Sequence, residues 1–254
     1  MAGLALAAGA GTRLRPLTLL RPKPLCPVGD RALLDWALGS LEPLVGEIAV
    51  NVHHGREQIE AHLAARSADG RGRVHLSVEA DEPLGTAGAV GRLRDWLDGR
   101  HVLVANGDTW HRADLVRLLE GWDGERVRVL TPTPLPFGPR SGVIASLLPW
   151  SIAQRLPAEP SGLWELVWAE EAAQGRLEAL HDPAVVIDCG TPAQYLRANL
   201  EWSGGRSVVG EGAVVEGTVE RCVVGPGSRV EASEHLVAAS RAEERTGLVR
   251  TVVR

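Results

Sequence analysis

A cluster of basic side chains follows a glycine-rich stretch near the start of the sequence. The segment Gly9-Ala10-Gly11 comes directly after a short apolar run, Leu4 to Ala8. Glycines let the backbone approach a ligand closely, and successive N–H groups can line a nest for an anion. Arg13 can then bind phosphate oxygens, and Lys23 can supply a second cation. This part of the chain therefore predicts a small phosphorylated ligand.

Lys23 is the only lysine in the chain, and the other 26 of the 27 Lys and Arg residues are arginines. Isoleucine, asparagine, phenylalanine and tyrosine are also scarce, as in proteins from GC-rich genomes. Lysine is a compact point charge and arginine is a planar fork, so the two are not interchangeable. A lysine that persists under this bias hints that arginine would not serve at position 23.

Strands and helices that alternate along the first 200 residues must position these side chains. Candidate strands are 4–8, 47–52, 74–78, 101–105, 126–131, 142–147 and 185–187, and candidate helices are 32–41, 56–66, 87–98, 114–122, 164–174 and 192–202. This alternation predicts an α/β fold, with a doubly wound, mostly parallel sheet covered by helices. Ligands of such sheets bind at the carboxyl ends of the strands. Gly9, Gly85 and Asp108 each follow a strand end and are expected to converge.

Two common nucleotide-binding loops do not fit the first glycine segment. The dinucleotide fingerprint needs a third glycine where Leu14 stands, and an acidic residue at a strand end about 20 residues later. The P-loop needs a lysine and a serine or threonine directly after its second glycine, and Thr12 and Arg13 stand there instead. Both patterns are therefore excluded.

Composition excludes several classes of protein. Hydrophobic residues make up 44%, as in globular proteins, and a net charge of −5 argues against broad nucleic-acid binding. No segment approaches the roughly 18–20 apolar residues of a membrane helix, and the start does not resemble a secretory signal. We therefore expect a cytoplasmic protein without nucleic-acid or membrane partners. Cys26, Cys189 and Cys222 lie too far apart to indicate a disulfide framework or a metal cluster.

The texture of the sequence changes after Ser203. Val209 and Val215 are six residues apart, and so are Val224 and Val230, with glycines between them. This spacing is typical of the hexapeptide repeats of a parallel β-helix, and two to four repeats fit. A glycine-rich hairpin is the alternative interpretation.

Four segments, in this order along the chain, resemble the signature of the sugar-1-phosphate nucleotidyltransferases. They are Leu6 to Thr18 with Lys23-Pro24 following, Pro83 to Ala89, Asn106 to Asp108, and Ile187 to Pro192. The resemblance covers about residues 1–200, and the tail is similar to those of several branches, including mannose-1-phosphate guanylyltransferases. It implies a Rossmann-like nucleotidyltransferase domain over 1–203, followed by a short left-handed β-helix-like segment over 204–254.

The resemblance also implies roles for individual residues. Arg13, Lys23 and Asp108 would be catalytic, and Asp108 and Asp188 would bind Mg²⁺, the expected cofactor. The nucleotide-binding residues would be Leu6, Ala8, Gly9, Gly11, Thr12, Gly85 and Thr86, and the sugar-phosphate-binding residues Asn106, Gly142 and Asp188. Two simpler roles stay open: Asp108 as a helix cap, and Asp188 as a turn residue.

The implied reaction joins a nucleoside triphosphate and a sugar 1-phosphate to give a nucleotide sugar and pyrophosphate. The acceptor phosphate is already ionised, so in-line displacement at the α-phosphorus needs alignment and charge neutralisation rather than a general base. Mg²⁺ prefers carboxylates together with phosphate oxygens, so two aspartates would suffice.

The substrates are less sharply indicated than the reaction. The arm from Pro22 to Leu25 and the tail favour GTP with mannose 1-phosphate. An enzyme that uses UTP, dTTP or ATP with another sugar 1-phosphate stays open, as does a non-catalytic regulatory homologue that binds a nucleotide sugar. A cytidylyltransferase for alcohol phosphates would carry a basic loop in place of Leu84 to Ala89. The E-K-P sugar-binding motif of some branches is absent, and a homo-oligomer is compatible with the sequence.

Overall fold

The computed structural model describes residues 1–70, 72–243 and 249–253. Contacts divide the chain into two compact units, and each unit is built from two chain segments. The first unit comprises Met1–Gly9 and Leu34–Val186, and the second comprises Ala10–Leu33 and Ile187–Arg254. These contacts group the basic segment with the C-terminal part, and the division into 1–203 and 204–254 stays a prediction.

The described residues form nineteen short strands and seven α-helices. The strands are β1 Ala2–Leu6, β2 Pro27–Val28, β3 Arg31–Ala32, β4 Glu47–Val52, β5 Val74–Val78, β6 Val102–Asn106, β7 Thr109–His111, β8 Val127–Thr131, β9 Ala145–Leu148, β10 Leu177–His181, β11 Val186–Asp188, β12 Val208–Val209, β13 Val214–Val215, β14 Thr218–Glu220, β15 Val223–Val224, β16 Arg229–Val230, β17 His235–Val237, β18 Ala239–Glu243 and β19 Val249–Val253. The helices are α1 Leu33–Leu41, α2 Arg56–Ala68, α3 Gly85–Arg92, α4 Arg94–Leu97, α5 Trp150–Ala153, α6 Ala169–Ala173 and α7 Pro192–Ser203.

One seven-stranded sheet organises the first unit, in the order β10-β8-β9-β6-β1-β4-β5. Neighbouring strands run parallel except for β9, which is antiparallel to both β6 and β8. Leu4, Val104 and Val129 of this sheet lie in one buried core with Val90 and Leu97 of the helices. Strands covered on both faces have near-continuous apolar sequences, as β1 and β6 do. The expected doubly wound, mostly parallel α/β fold is confirmed.

Two predicted helices are shorter than their sequence pattern indicated. Only the 3₁₀ turn Leu115–Leu118 forms within 114–122. The carbonyls of Leu118, Glu120 and Gly121 accept hydrogen bonds from the guanidinium of Arg128, which takes the place of a continuing helix. Residues 164–174 begin as a π-helical turn, Trp164–Trp168, before α6. β10 had no predicted counterpart.

The second unit joins three 3₁₀ turns, Thr12–Leu14, Leu17–Leu19 and Lys23–Leu25, to α7 and a coil of short strands. β12, β15 and β18 stack in parallel as one ladder, β13 and β16 form a second, and β14 and β17 a third. Val208 pairs with Val223 and Thr218 pairs with His235, so each turn of the coil takes 15 or 17 residues. Parallel pairing at this period matches the β-helix-like prediction and excludes the hairpin.

Among the residues that the structure describes, no helix combines the length and the apolar character needed to span a membrane.

Candidate active site

The glycine loop begins where β1 ends, and a buried amide fixes its first residue. The backbone N–H of Ala7 donates a hydrogen bond of 2.8 Å to Oδ1 of Asn51, which is 2% exposed on the neighbouring β4. Ala8 is buried, whereas Gly9 is exposed. The strand end is therefore held firmly, while the backbone at Gly9 stays accessible to a ligand.

The second predicted loop, Gly85-Thr86, lies at the start of α3. Gly85 has φ +71°, and a Cβ there would lie 2.5 Å from the carbonyl oxygen of Ser161, so the position requires glycine. Thr86 Oγ1 accepts a hydrogen bond of 2.8 Å from the N–H of Leu163, and the N–H of Ala87 donates to the Ser161 carbonyl at 3.0 Å. The loop is thereby held against residues 161–163.

The third predicted segment, Asn106 to Asp108, begins at the last residue of β6. The N–H of Gly107 donates to the Leu6 carbonyl at 2.9 Å, and a Cβ at Gly107 would lie only 2.7 Å from that oxygen. Asn106 Nδ2 donates to the carbonyl of Val143 at 3.2 Å. The ends of β1 and β6 therefore meet, with the partly exposed Asp108 directly after them.

A cavity of about 300 Å³ lies among these strand ends in the first unit. Residues of three predicted segments line it, namely Leu6, Thr86 and Asn106, together with Trp164, Glu165 and Trp168. Its volume is at the lower end of the range typical of small-molecule sites. Gly142 does not line it, although its neighbours Ser141 and Val143 do.

Sequence reasoning missed the wall that Trp164, Glu165 and Trp168 form. Trp164–Trp168 form a π-helical turn, and such turns are frequent at functional sites. No local residue pattern predicts a π-helical turn.

In the second unit, the structure brings together Arg13, Lys23 and Asp188. Lys23 Nζ lies 2.6 Å from Asp188 Oδ1, and Arg13 Nη2 lies 3.7 Å from Asp188 Oδ2. The Lys23 side chain is 6% exposed, against 48% for Asp188 and 72% for Arg13. A buried cation thus supports a half-exposed carboxylate, beside a guanidinium that reaches solvent.

Two glycines make room for this ion-pair group. Gly11 has φ +60°, and a Cβ there would lie 2.9 Å from the Lys23 Cβ. A Cβ at Gly190 would lie 3.0 Å from Asp188 Oδ2 and 3.1 Å from Arg13 Nη2. Thr12 is exposed at the start of the first 3₁₀ turn, next to Arg13. Gly11 and Thr12 therefore border the cations that were expected to bind phosphate.

The expected metal ligands belong to different units, with Asp108 in the first and Asp188 in the second. Within the described part of the chain, no group of three or more His, Cys, Asp and Glu side chains is gathered for a metal ion. Mg²⁺ does not require such a group, because it usually keeps water and phosphate oxygens beside one or two carboxylates. The half-exposed Asp188 carboxylate fits this chemistry as a donor.

Comparison with known proteins decides the family. The family model described as nucleotidyl transferase matches residues 2–131, just over half of the chain. This chain belongs to the nucleotidyl transferase family. The matched residues contain three of the four motifs, and the membership confirms the resemblance to sugar-1-phosphate nucleotidyltransferases.

Relatives of this nucleotidyl transferase differ in their described substrates. An N-acetylmuramate alpha-1-phosphate uridylyltransferase of Caulobacter vibrioides is 42% identical over 132 residues, which cover 50% of this chain and 54% of that protein. The chain thus spans about half the length of that relative. A protein of Oryza sativa subsp. japonica described as a mannose-1-phosphate guanylyltransferase is 26% identical over 274 residues, covering 89% of this chain and 75% of that protein.

Solved structures share the fold of this nucleotidyl transferase at low sequence identity. A Bacillus anthracis protein described as a glucose-1-phosphate thymidylyltransferase is 19% identical, with a TM-score of 0.67 over 79% of this chain and 95% of that one. HddC of Yersinia pseudotuberculosis is 21% identical, with a TM-score of 0.63 over 79% of this chain and 99% of that one. These likenesses support the fold.

Proposed function

We propose that the protein transfers a nucleotidyl group from a nucleoside triphosphate to a sugar 1-phosphate and releases pyrophosphate. The observation that carries this proposal is the cavity at the ends of β1 and β6, which Leu6, Thr86 and Asn106 line together. These residues come from three separate motifs, and strand ends of an α/β sheet are where nucleotides bind. Family membership supports the same reaction.

Charge neutralisation is the main task of the residues in this reaction. A phosphate oxygen of the sugar 1-phosphate forms a bond to the α-phosphorus, and the bond from that phosphorus to the bridging oxygen of pyrophosphate breaks. No proton has to be removed from the acceptor. Arg13 and Lys23 stabilise the negative charge that gathers on the phosphates, because preformed cations need no reorganisation during the reaction.

The motifs support Mg²⁺ as the cofactor, with Asp108 and Asp188 as its protein ligands. The bound ion would neutralise phosphate charge and align the triphosphate. Lys23 and Arg13 lie beside Asp188, so Mg²⁺ would share the Asp188 carboxylate with these two cations.

GTP and mannose 1-phosphate are the substrate pair that we propose first. The similarity to the Oryza sativa protein extends over 89% of the chain and supports this pair. A second pair, UTP with N-acetylmuramate 1-phosphate, is favoured by the 42% identity to the Caulobacter vibrioides enzyme. The Caulobacter vibrioides enzyme has the higher sequence identity to this chain, whereas the similarity to the Oryza sativa protein covers more of the chain.

A pyrophosphate-release assay tests both the reaction and the substrates. GTP, UTP, dTTP, ATP and CTP are crossed with mannose, glucose, N-acetylglucosamine and N-acetylmuramate 1-phosphates in the presence of Mg²⁺. One strong pair is expected, and Asp108→Asn serves as the inactive control. Nucleotide binding without release from any combination would contradict the proposal and favour a regulatory homologue.

A further inference from the structure

Glu79, the first residue after β5, is a buried carboxyl group that uses both of its oxygens. It is 2% exposed. Oε1 accepts a hydrogen bond of 2.8 Å from Nδ2 of Asn51, and Oε2 accepts one of 2.7 Å from the backbone N–H of Leu84. Burial of a carboxyl group is unfavourable unless its oxygens find such donors.

Asn51 continues this chain of hydrogen bonds to the glycine loop. Its Oδ1 accepts the N–H of Ala7 while its Nδ2 donates to Glu79. Three hydrogen bonds therefore run from Ala7, which precedes Ala8 and Gly9, to Leu84, which precedes Gly85. We call Ala7, Asn51, Glu79 and Leu84 the loop-linking network.

The main chain of Glu79 is held as firmly as its side chain. Its N–H donates to the Val52 carbonyl at 2.9 Å, and its carbonyl lies 2.7 Å from Nδ1 of His53. The carboxyl group therefore has little freedom to change its orientation. A network in which every group is satisfied fixes one geometry, whereas an apolar pair would allow several.

Beyond Leu84, the network extends to the wall of the cavity. The Leu84 carbonyl accepts the N–H of Ser161 at 3.0 Å, and Thr86 Oγ1 accepts the N–H of Leu163. Residues 161–163 lead directly into Trp164 and Glu165, which line the cavity. A shift of Glu79 would therefore displace the glycine loop, the Gly85-Thr86 loop and the cavity wall.

We propose that Asn51 and Glu79 are positioning residues, which hold the glycine loop and the Gly85-Thr86 loop at the separation that a nucleotide requires. The inference rests on the proposed function, because it assumes that both loops contact the nucleotide. Asn51 and Glu79 act through the backbones of Ala7 and Leu84, and neither contacts the ligand.

A reciprocal exchange of the two side chains tests this role. Glu79→Gln leaves one side-chain oxygen to accept from two donors, Asn51 Nδ2 and the Leu84 N–H. Its new NH₂ group can face the NH₂ group of Asn51, and two donors cannot form a hydrogen bond. Asn51→Asp faces a carboxylate with another carboxylate. In the double variant, the new carboxylate at position 51 accepts from Ala7 and from the new amide at position 79, whose oxygen accepts from Leu84. The double variant therefore recovers all three hydrogen bonds.

Each single variant should weaken binding of Mg²⁺-bound nucleoside triphosphate roughly tenfold or more, measured by titration calorimetry, because one charge-assisted hydrogen bond is lost. The double variant should bind within about threefold of the wild type, since it restores that bond. In turnover, KM for the nucleotide should rise while kcat changes little. Backbone amides of residues 84–87 should exchange with deuterium faster in the single variants and at the wild-type rate in the double variant.

Glu178→Gln is the matched control, because it makes the same chemical change on β10, at the opposite edge of the sheet. Glu178 accepts a hydrogen bond of 2.7 Å from Arg128. Its loss should lower Tm without changing nucleotide affinity or exchange at 84–87.

Single variants that lose Tm but keep wild-type nucleotide affinity and exchange would overturn the inference, and so would a double variant that regains Tm without regaining affinity. If a single variant does not fold, the double variant alone decides, since the inference requires it to fold and bind. The exchange measurement needs no substrate, so it separates failure of this inference from failure of the proposed reaction.

Discussion

The ammonium of Lys23 lies 2.6 Å from a carboxylate oxygen of Asp188, although 165 residues separate them along the chain. Lys23 is buried and Asp188 is half exposed. Because Asp188 is half exposed, its carboxylate can reach a ligand in solvent while it pairs with the buried Lys23 ammonium. We propose phosphate binding for Lys23 and Mg²⁺ binding for Asp188, on the strength of the motifs.

Lys23→Arg should reduce kcat/KM about a hundredfold or more, because a planar guanidinium cannot replace a compact ammonium in a buried position. The Lys23 side chain is only 6% exposed, so a larger guanidinium would have to displace its neighbours. Steady-state kinetics on the substrate pair found by the screen would measure the loss. Arg31→Lys, at an exposed ion pair with Asp30, is the control and should stay within about twofold. Near-normal activity of Lys23→Arg would contradict the idea that position 23 requires a lysine.

Asp108→Asn and Asp188→Asn should each lower kcat by about two orders of magnitude or more, and the Mg²⁺ concentration for half-maximal activity should rise. The neutral amide keeps the size of the side chain but donates far less charge to a hard cation. Magnesium titrations of turnover would measure both effects. The metal assignment fails if both variants turn over at wild-type rates and wild-type Mg²⁺ dependence.

Gly88→Ala should destabilise the protein, whereas Gly39→Ala should stabilise it. Both glycines lie in helices, α3 and α1. A Cβ at Gly88 would lie 2.1 Å from the backbone oxygen of Glu159, and a Cβ at Gly39 would meet nothing within 4 Å. We expect a cost of roughly 1–3 kcal/mol at Gly88 and a gain of about 0.5–1 kcal/mol at Gly39. Urea unfolding would measure both changes, and equal effects would contradict the close packing of α3.

Acid should destabilise the fold partly through His111. Burial lowers the pKa of His111, and a backbone hydrogen bond at Ala113 and the charge of Asp182 only partly oppose this. As pH falls below the ordinary histidine pKa of 6.5, His111 binds a proton in the unfolded chain but stays neutral in the folded protein. Stability from this residue is therefore complete above that pH and is lost as pH falls toward the lowered pKa.

Thermal unfolding at pH 7.5 and 5.5 would test the role of His111. His111→Gln should lose less Tm between the two pH values than the wild type. His54→Gln, at an exposed histidine, is the control and should follow the wild type. Parallel losses in all three proteins would show that His111 contributes nothing to the acid sensitivity.

The sequence by itself determined the family, the alternation of strands and helices and the loops after the strands. β4 and β5 have the predicted bounds, because the apolar residues of a strand that lies between turn residues form a local pattern. The six-residue spacing of valines, with glycines between them, likewise indicated the β-helix-like tail. These features depend on neighbours within a few residues, so a single sequence contains them.

Only the tertiary structure decided which distant residues meet. The hydrogen bonds of Glu79 with Asn51 and Leu84, the wall formed by Trp164 and Glu165, and the Lys23–Asp188 pair had no local signal. A buried polar side chain is satisfied by whichever donor packing brings within about 3 Å, and packing depends on the whole sheet. The sequence therefore determined which groups could do the chemistry, and long-range packing determined how they are held.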